Sequence, residues 1–213
     1  MKLENKPFLL LFLIYLIVGI YPAFQDKLDI HLWFNQFHHP YLDTLFKYIT
    51  YLGDGFGVLI SAGIFLFIEY RYSIFIILGG YLPGVITQIL KRLVFADQNR
   101  PSVYLSSEQI DFISGVDLHQ NFSFPSGHST SAFALFCCLS FIIKKPLYQS
   151  LFFILALTAS LSRIYLHQHF YRDTLAGALI GVLGCVLVYY FLYPKFANNR
   201  ALSKSLLSPK SQA

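Results

Sequence analysis

Charge is what this sequence has least of. Asp, Glu, Lys and Arg make up 13% of its 213 residues, against about 25% in an average soluble domain. So little charge over so apolar a chain excludes disorder, a collagen-like chain and a free soluble globule. Cysteine is also scarce. Cys137, Cys138 and Cys185 are the only three, all within apolar runs and without metal-ligand spacing. They read as small buried residues, and no disulfide framework is expected. Internal repeats are absent, and the basic residues form no long cluster, so nucleic acid is not an expected partner. No small-x-small cleavage site follows the first apolar run, whose exit reads Ile20-Tyr21-Pro22-Ala23-Phe24. That run is therefore expected to be an uncleaved signal anchor.

What the chain does have is length without charge. Hydrophobic types make up 55% of it, and the mean hydropathy is +0.54. A membrane-crossing helix needs roughly 17–25 mostly apolar residues. Uncharged runs of 19 residues lie between Lys6 and Asp26 and between Arg71 and Lys91. Another 17 separate Lys145 from Arg163, and 21 separate Asp173 from Lys195. A further apolar stretch covers Ser129–Ile143. The shortest candidate, Gly55–Ile68, has 14 residues and reaches span length if it extends back through Leu52 or Asp54. The expectation is an all-α polytopic membrane protein with six spans over residues 1–194. Residues 195–213 would be a basic, disordered cytoplasmic tail.

Orientation follows from the basic loops. With the N-terminus inside, nine Lys and Arg fall on the cytoplasmic side and seven on the other. Two long segments then lie outside. Residues 25–51 space their aromatics by three and four, as in amphipathic helices resting in the interface. His31, His38 and His39 in this stretch read as interfacial polar residues rather than metal ligands. Residues 95–124 are rich in Asp, Asn, Ser and Gln, too polar for lipid, and long enough to be a lid or specificity element. Gly177, Gly181 and Gly184 in the last span are expected to let helices pack closely.

Ionisable and turn-forming residues gather at four span ends. Lys91 and Arg92 close the third span, with Arg100-Pro101 soon after, and Pro125-Ser126-Gly127-His128 opens the fourth. Ser162-Arg163 closes the fifth, and His169 with Asp173 opens the sixth. Alternating spans bring all four ends to one outer face. Lys91, Arg100 and Arg163 near a low-dielectric boundary require anionic partners. A Pro-Ser-Gly turn at a helix start supplies free backbone N–H groups and a positive dipole end. Together they describe a phosphate cradle. His169 and Asp173, four apart, share a helix face, so the carboxylate can hold one ring nitrogen and leave the other bare as a nucleophile. His128 lies in the cradle, placed to protonate a leaving oxygen and then activate water.

Two of these stretches, Pro125-Ser126-Gly127-His128 and Ser162-Arg163-x5-His169-x3-Asp173, resemble the second and third signatures of the type 2 phosphatidic acid phosphatases. This family includes bacterial membrane lipid phosphatases and vanadium haloperoxidases. The resemblance implies His169 as nucleophile, His128 as acid and base, and Asp173 as the orienting carboxylate. Lys91, Arg100, Ser126, Gly127 and Arg163 would bind phosphate, with no metal or other cofactor. The first signature departs from the family's Lys-x6-Arg-Pro, since eight residues separate Lys91 from Arg100. Two extra residues are expected to bulge into the loop, and Arg92 stands as a substitute or helper for Lys91.

The resemblance implies a lipid phosphatase in the bacterial inner membrane, with both termini cytoplasmic and the site on the periplasmic face. Its substrate would be undecaprenyl pyrophosphate, phosphatidylglycerol phosphate, phosphatidic acid or a lipid A phosphate. Four loop acids, Asp97, Glu108, Asp111 and Asp117, hint at a sugar-bearing headgroup. A lipid phosphotransferase with the same site is the main alternative. A zinc, iron or haem site built from His128, His167, His169 and Asp173 is a weaker one, because such a site has no use for three added cations. A transporter with a basic vestibule would place its charges at the midplane instead.

Overall fold

A computed structural model describes residues 5–208, and every regular element in them is helical. The helices are α1 (Lys6–Phe24), α2 (Lys27–Asn35), α3 (Pro40–Ile49), α4 (Gly55–Leu66), α5 (Tyr70–Ile89), α6 (Pro101–Tyr104), α7 (Gly127–Ile142), α8 (Pro146–Tyr165), α9 (Tyr171–Leu187) and α10 (Tyr193–Ala197). Their starts follow local chemistry. Proline, which has no N–H to lose, sits in the first turn of α1, α3, α6, α8 and α10. The Asp26 carboxylate caps α2 by accepting from the Leu28 N–H at 2.7 Å.

Four helical stretches have the length and composition to cross a bilayer: Lys6–Phe24, Tyr70–Val94, Pro146–Tyr165 and Tyr171–Ala197. The second of the six expected spans does not run straight. Thr50–Gly53 is a 3-10 turn and Asp54 is extended, so Pro40–Gly53 and Gly55–Leu66 meet at 60°. Counted as one, this bent pair makes a fifth. Helix α7 has 16 residues, about 24 Å at 1.5 Å per residue, short of a hydrocarbon core about 30 Å thick.

Its short length suits its place. Most of α7 is buried, with α5, α8 and α9 packed around it, so it is a central post rather than a lipid-facing helix. Gly177 and Gly181 of α9 lie where a Cβ would collide with the Ser126 and Thr130 carbonyl oxygens of α7. The expected close packing of this glycine row is therefore present. Around the post, Phe8 packs edge-on to Phe153 at 5.8 Å between ring centroids, and Phe12 meets Phe133 at 5.6 Å. The three cysteines are buried in the same core. Outward-facing Ile14, Ile17, Val18, Ile60, Ile64, Leu183 and Leu187 are exposed, an apolar surface that matches lipid.

Two polar segments are more ordered than the sequence suggests. Residues 198–208, expected to be disordered, form turns that bond back to the α4–α5 connection. Leu206 donates to the Leu66 carbonyl, Tyr70 to Lys204 and Arg71 to Leu202, each at 2.9 Å. Residues 209–213 lie outside the described residues. The 95–124 segment is tied down along its length. Arg100 N–H donates to Gln120 O at 2.7 Å and Ser123 N–H to Gln98 O at 2.8 Å. Lys47 Nζ donates to Ser114 O at 2.9 Å, and Asn35 pairs with Asp111.

Candidate active site

The carboxyl end of α5, the amino end of α7 and the α8–α9 connection meet beneath the 95–124 segment. They enclose a cavity of about 450 Å³ lined by Lys91, Arg92, Arg100, Gly127, His128, Arg163 and His169, with His119, Gln120, Asn121 and Phe122 above. Four cations face one space, and no carboxylate lines it. All but two of the residues expected at the site are on its walls. The exceptions are Ser126 and Asp173, which stand behind it.

Ser126 was expected to touch phosphate, but its hydroxyl is fully buried and works as the α7 cap. It accepts from Ser129 Oγ at 3.1 Å, and Ser129 Oγ in turn accepts from Ser160. The Ser126 N–H is used as well, donating to the Asp173 carbonyl at 2.9 Å. What α7 offers the cavity is the pair of first-turn N–H groups of Gly127 and His128, which lack intrahelical acceptors.

Asp173 sits at the third position of α9, where its carboxylate accepts from the Phe170 N–H at 3.0 Å and from the Ser123 hydroxyl at 2.5 Å. Its Oδ2 lies 3.6 Å from His169 Nδ1, beyond hydrogen-bond length in this state. A proton on Nδ1 facing the carboxylate leaves Nε2 bare. Burial first, and then Arg100, Lys91, Arg163 and His128, holds the His169 imidazole well below its ordinary pKa. The ring is therefore neutral near pH 7.

The cations differ in their attachments. Lys91 lies in a π-turn, Leu90–Val94, where the Phe95 N–H reaches back to Leu90 O at 2.9 Å. A π-turn takes one more residue than an α-turn. Some of the extra length of the first motif is thus absorbed within the helix, rather than wholly in the loop as expected. It leaves Lys91 buried and Arg92 exposed at the cavity edge. Arg100 is fixed by Asn121 O at 2.9 Å and by Gln168 Oε1 at 3.0 Å. Arg163 donates from Nη1 to Thr50 Oγ1 at 2.6 Å, while its buried Nε has no partner among the described residues. An unpaired buried guanidinium N–H in a cation-lined cavity is suited to a phosphate oxygen.

Ser123, Thr50, Gln168 and His119 escaped the sequence reading. Each is an ordinary polar residue in a turn or loop, and only the fold brings it to the site. Of the four residues weighed as a metal site, His167 is turned to other partners. The His167 ring meets His31 Nε2 at 2.9 Å and Asp111 O at 3.1 Å, and among the described residues no three His, Cys, Asp or Glu form a metal-binding group. His31 is only 1% exposed, so it faces the protein interior. None of the four loop acids lines the cavity.

A second, mostly apolar groove of about 610 Å³ opens beside the first between α4 and α5, and shares Gln88, Arg92, Gly127 and His128 with it. Tyr81 bonds Gly55 O at 3.0 Å across it, and Val85, Ile89 and Leu93 on its flank are exposed.

A family model for the PAP2 superfamily matches residues 69–197. The chain belongs to this family. That is the type 2 phosphatidic acid phosphatase kinship its motifs imply. Phosphatidylglycerophosphatase B of Bacillus subtilis (strain 168) is 28% identical over 166 residues, covering 71% of this chain and 76% of that protein. The lipid A 4'-phosphatase of Bacteroides thetaiotaomicron is 38% identical over 73 residues, 34% of this chain and 32% of the relative. Among solved structures, LpxE of Aquifex aeolicus superposes with a TM-score of 0.69 at 28% identity, over 78% of this chain and 96% of its own. The PAP2-type phosphatidylglycerolphosphate phosphatase of Bacillus subtilis gives 0.64 at 22% identity, over 88% and 95%, which speaks for the fold alone.

Proposed function

We propose that this PAP2 protein is an integral-membrane phosphatase that removes a terminal phosphate from a membrane lipid by way of a phosphohistidine. The carrying observation is the cavity itself: four cations and no carboxylate around two histidines, opening onto an apolar groove. The phosphate would rest among Lys91, Arg100, Arg163 and the Gly127 and His128 N–H groups, with the lipid chain in the groove. His169 Nε2 attacks phosphorus, and a P–N bond forms as the P–O bond to the lipid breaks. His128, entering as the imidazolium that the bound phosphate dianion favours, gives one proton to the leaving oxygen and becomes neutral. It then takes a proton from water as the water attacks the phosphohistidine, and inorganic phosphate leaves with His169 restored. The cations stabilise the charge spread over the phosphoryl oxygens in each step. Asp173 keeps the His169 ring in the tautomer with Nε2 bare.

In the membrane, the bent pair and α7 add to the four long helices to make six crossings, α7 shielded by its neighbours. Helices α2 and α3 rest in the interface. Both termini lie in the cytoplasm and the cavity on the outer face, the arrangement the basic-loop count favours. Phosphatidylglycerol phosphate, a lipid A phosphate, undecaprenyl pyrophosphate and phosphatidic acid are the candidate substrates. Relatives are named for the first three of these.

The test is phosphate release from these four lipids by detergent-solubilised protein with excess chelator, beside His169→Asn. Release by the native chain and its loss of at least about 10³-fold in the folded variant are expected. Turnover retained in His169→Asn refutes the phosphohistidine.

A further inference from the structure

Arg92 has a position that the common chemistry of the site does not use. Lys91, Arg100 and Arg163 line the phosphate cavity but not the apolar groove, whereas Arg92 lines both. The π-turn separates it from Lys91 in direction as well as burial. Lys91 is 7% exposed, while Arg92 is exposed and has no hydrogen bond, ion pair or ring contact among the described residues. Gln88, Gly127 and His128 share the junction with it, and Asp54 lies on the groove wall. Arg92 is thus the cation of the passage between headgroup and chain.

In-line displacement fixes what must occupy that passage. The leaving oxygen departs from phosphorus opposite His169 Nε2, on the side of the acid, His128. His128 also lines the groove, so the first group past the leaving oxygen lies at the junction. In a phosphate monoester of a diacylglycerol that group is a neutral glyceryl ester. In a lipid diphosphate it is the second phosphate, which stays on the lipid and gains negative charge as the bond between the two phosphates breaks. His128 protonates that leaving phosphate oxygen, the terminal phosphoryl group passes to His169, and the lipid monophosphate is released into the groove.

We propose that Arg92 is a specificity-determining residue that binds the phosphate retained on the lipid, and that it biases the enzyme toward lipid diphosphates over phosphate monoesters. The proposal rests on the phosphatase reading and adds the substrate class to it. A guanidinium matches a phosphate with two parallel N–H donors, which an ammonium cannot reproduce.

The readout is the ratio of kcat/KM for a long-chain polyprenyl diphosphate to that for phosphatidic acid, measured on the full chain in detergent. Arg92→Gln is expected to lower the ratio about tenfold or more, the worth of one charge-assisted contact. Arg92→Lys, which keeps the charge and loses the fork, should recover part of it. A fall in both substrates that leaves the ratio unchanged would show Arg92 acting on the transferred phosphoryl group beside Lys91, and would overturn the proposal. An unchanged ratio with unchanged rates would overturn it too. His169→Asn separates the two levels. Release that persists there removes the phosphohistidine reading, whereas its loss there with a ratio insensitive to Arg92 removes only the specificity assignment. Native protein inactive on both lipids removes both.

Discussion

Acid should loosen the loop that carries His169, through two histidines that do no chemistry. His31 on α2 and His167 on the α8–α9 connection are 1% and 2% exposed and share one hydrogen bond of 2.9 Å. His167 Nε2 faces the Asp111 carbonyl at 3.1 Å, which can only accept, so Nε2 carries the proton and Nδ1 is bare. His31 Nε2–H therefore donates, and His31 Nδ1 is left bare, without a partner among the described residues. A proton added to His167 would set two N–H groups against each other. One added to His31 would bury an unpaired donor. The surroundings give little relief. The His38 ring stacks on His167 at 5.1 Å. Of the two nearby acids, Asp43 is engaged by the Tyr165 hydroxyl and faces His38, and the Asp111 carboxylate accepts from Asn35. Burial chiefly, then the neighbouring imidazoles, lowers His31 to about 3. Burial chiefly lowers His167 to about 4, against the help of Asp111.

Both folded-state values lie below the unfolded value of about 6.5. The unfolded chain then binds more protons, and the stability present above pH 6.5 is lost as pH falls toward 4 and 3. At pH 5 each histidine costs about 2 kcal/mol, taking about 1.4 kcal/mol per pH unit over about 1.5 units. The pair together costs about 4. The assay compares thermal unfolding in detergent at pH 7.5 and 5 for the native chain and for His31→Gln with His167→Asn, which cannot titrate. The native protein should lose about 4 kcal/mol more than the double variant over this interval, and its activity should fall more steeply as well. Parallel losses in the two proteins would refute the tautomer argument.

Two other substitutions probe the site from behind and from the side. Ser123→Ala removes the hydroxyl that donates to Asp173 at 2.5 Å and should lower kcat about tenfold to a hundredfold, one hydrogen bond to a charged group. Unchanged kcat would mean Asp173 needs no second donor. Gly84→Phe fills groove space where a Cβ meets nothing within 4 Å. It should lower kcat/KM for a long-chain lipid diphosphate more than for a short-chain one, and equal effects would place the chain elsewhere.

The sequence revealed this protein where chemistry is local and hid it where chemistry depends on distant contacts. His169 and Asp173 were readable as a pair from their spacing, but not by the expected shared helix face. His169 precedes the extended cap Phe170, and the turn into α9 brings the two side chains to 3.6 Å. Arg163, Gly127 and His128 were readable because their neighbours fix a turn. The long helices were equally plain, since a charge-free run of 19 residues admits few other readings. The 60° bend at Asp54 was not, because 14 uncharged residues between charges fit a straight helix as well as a broken one. Ser126 misled for a related reason. A Pro-Ser-Gly turn states that an N-cap is present, but whether the serine oxygen faces the helix or a ligand depends on Ser129 and Ser160, and Ser160 comes from another helix. His31 shows the same limit from the other side. Its amphipathic surroundings predicted an interfacial residue, yet a partner 136 positions away makes it buried and neutral. The unreadable parts are thus the outer layer of support around a readable centre. That layer holds the Asp173 carboxylate, through Ser123, beside His169, and holds α2 on the loop through His31 and His167.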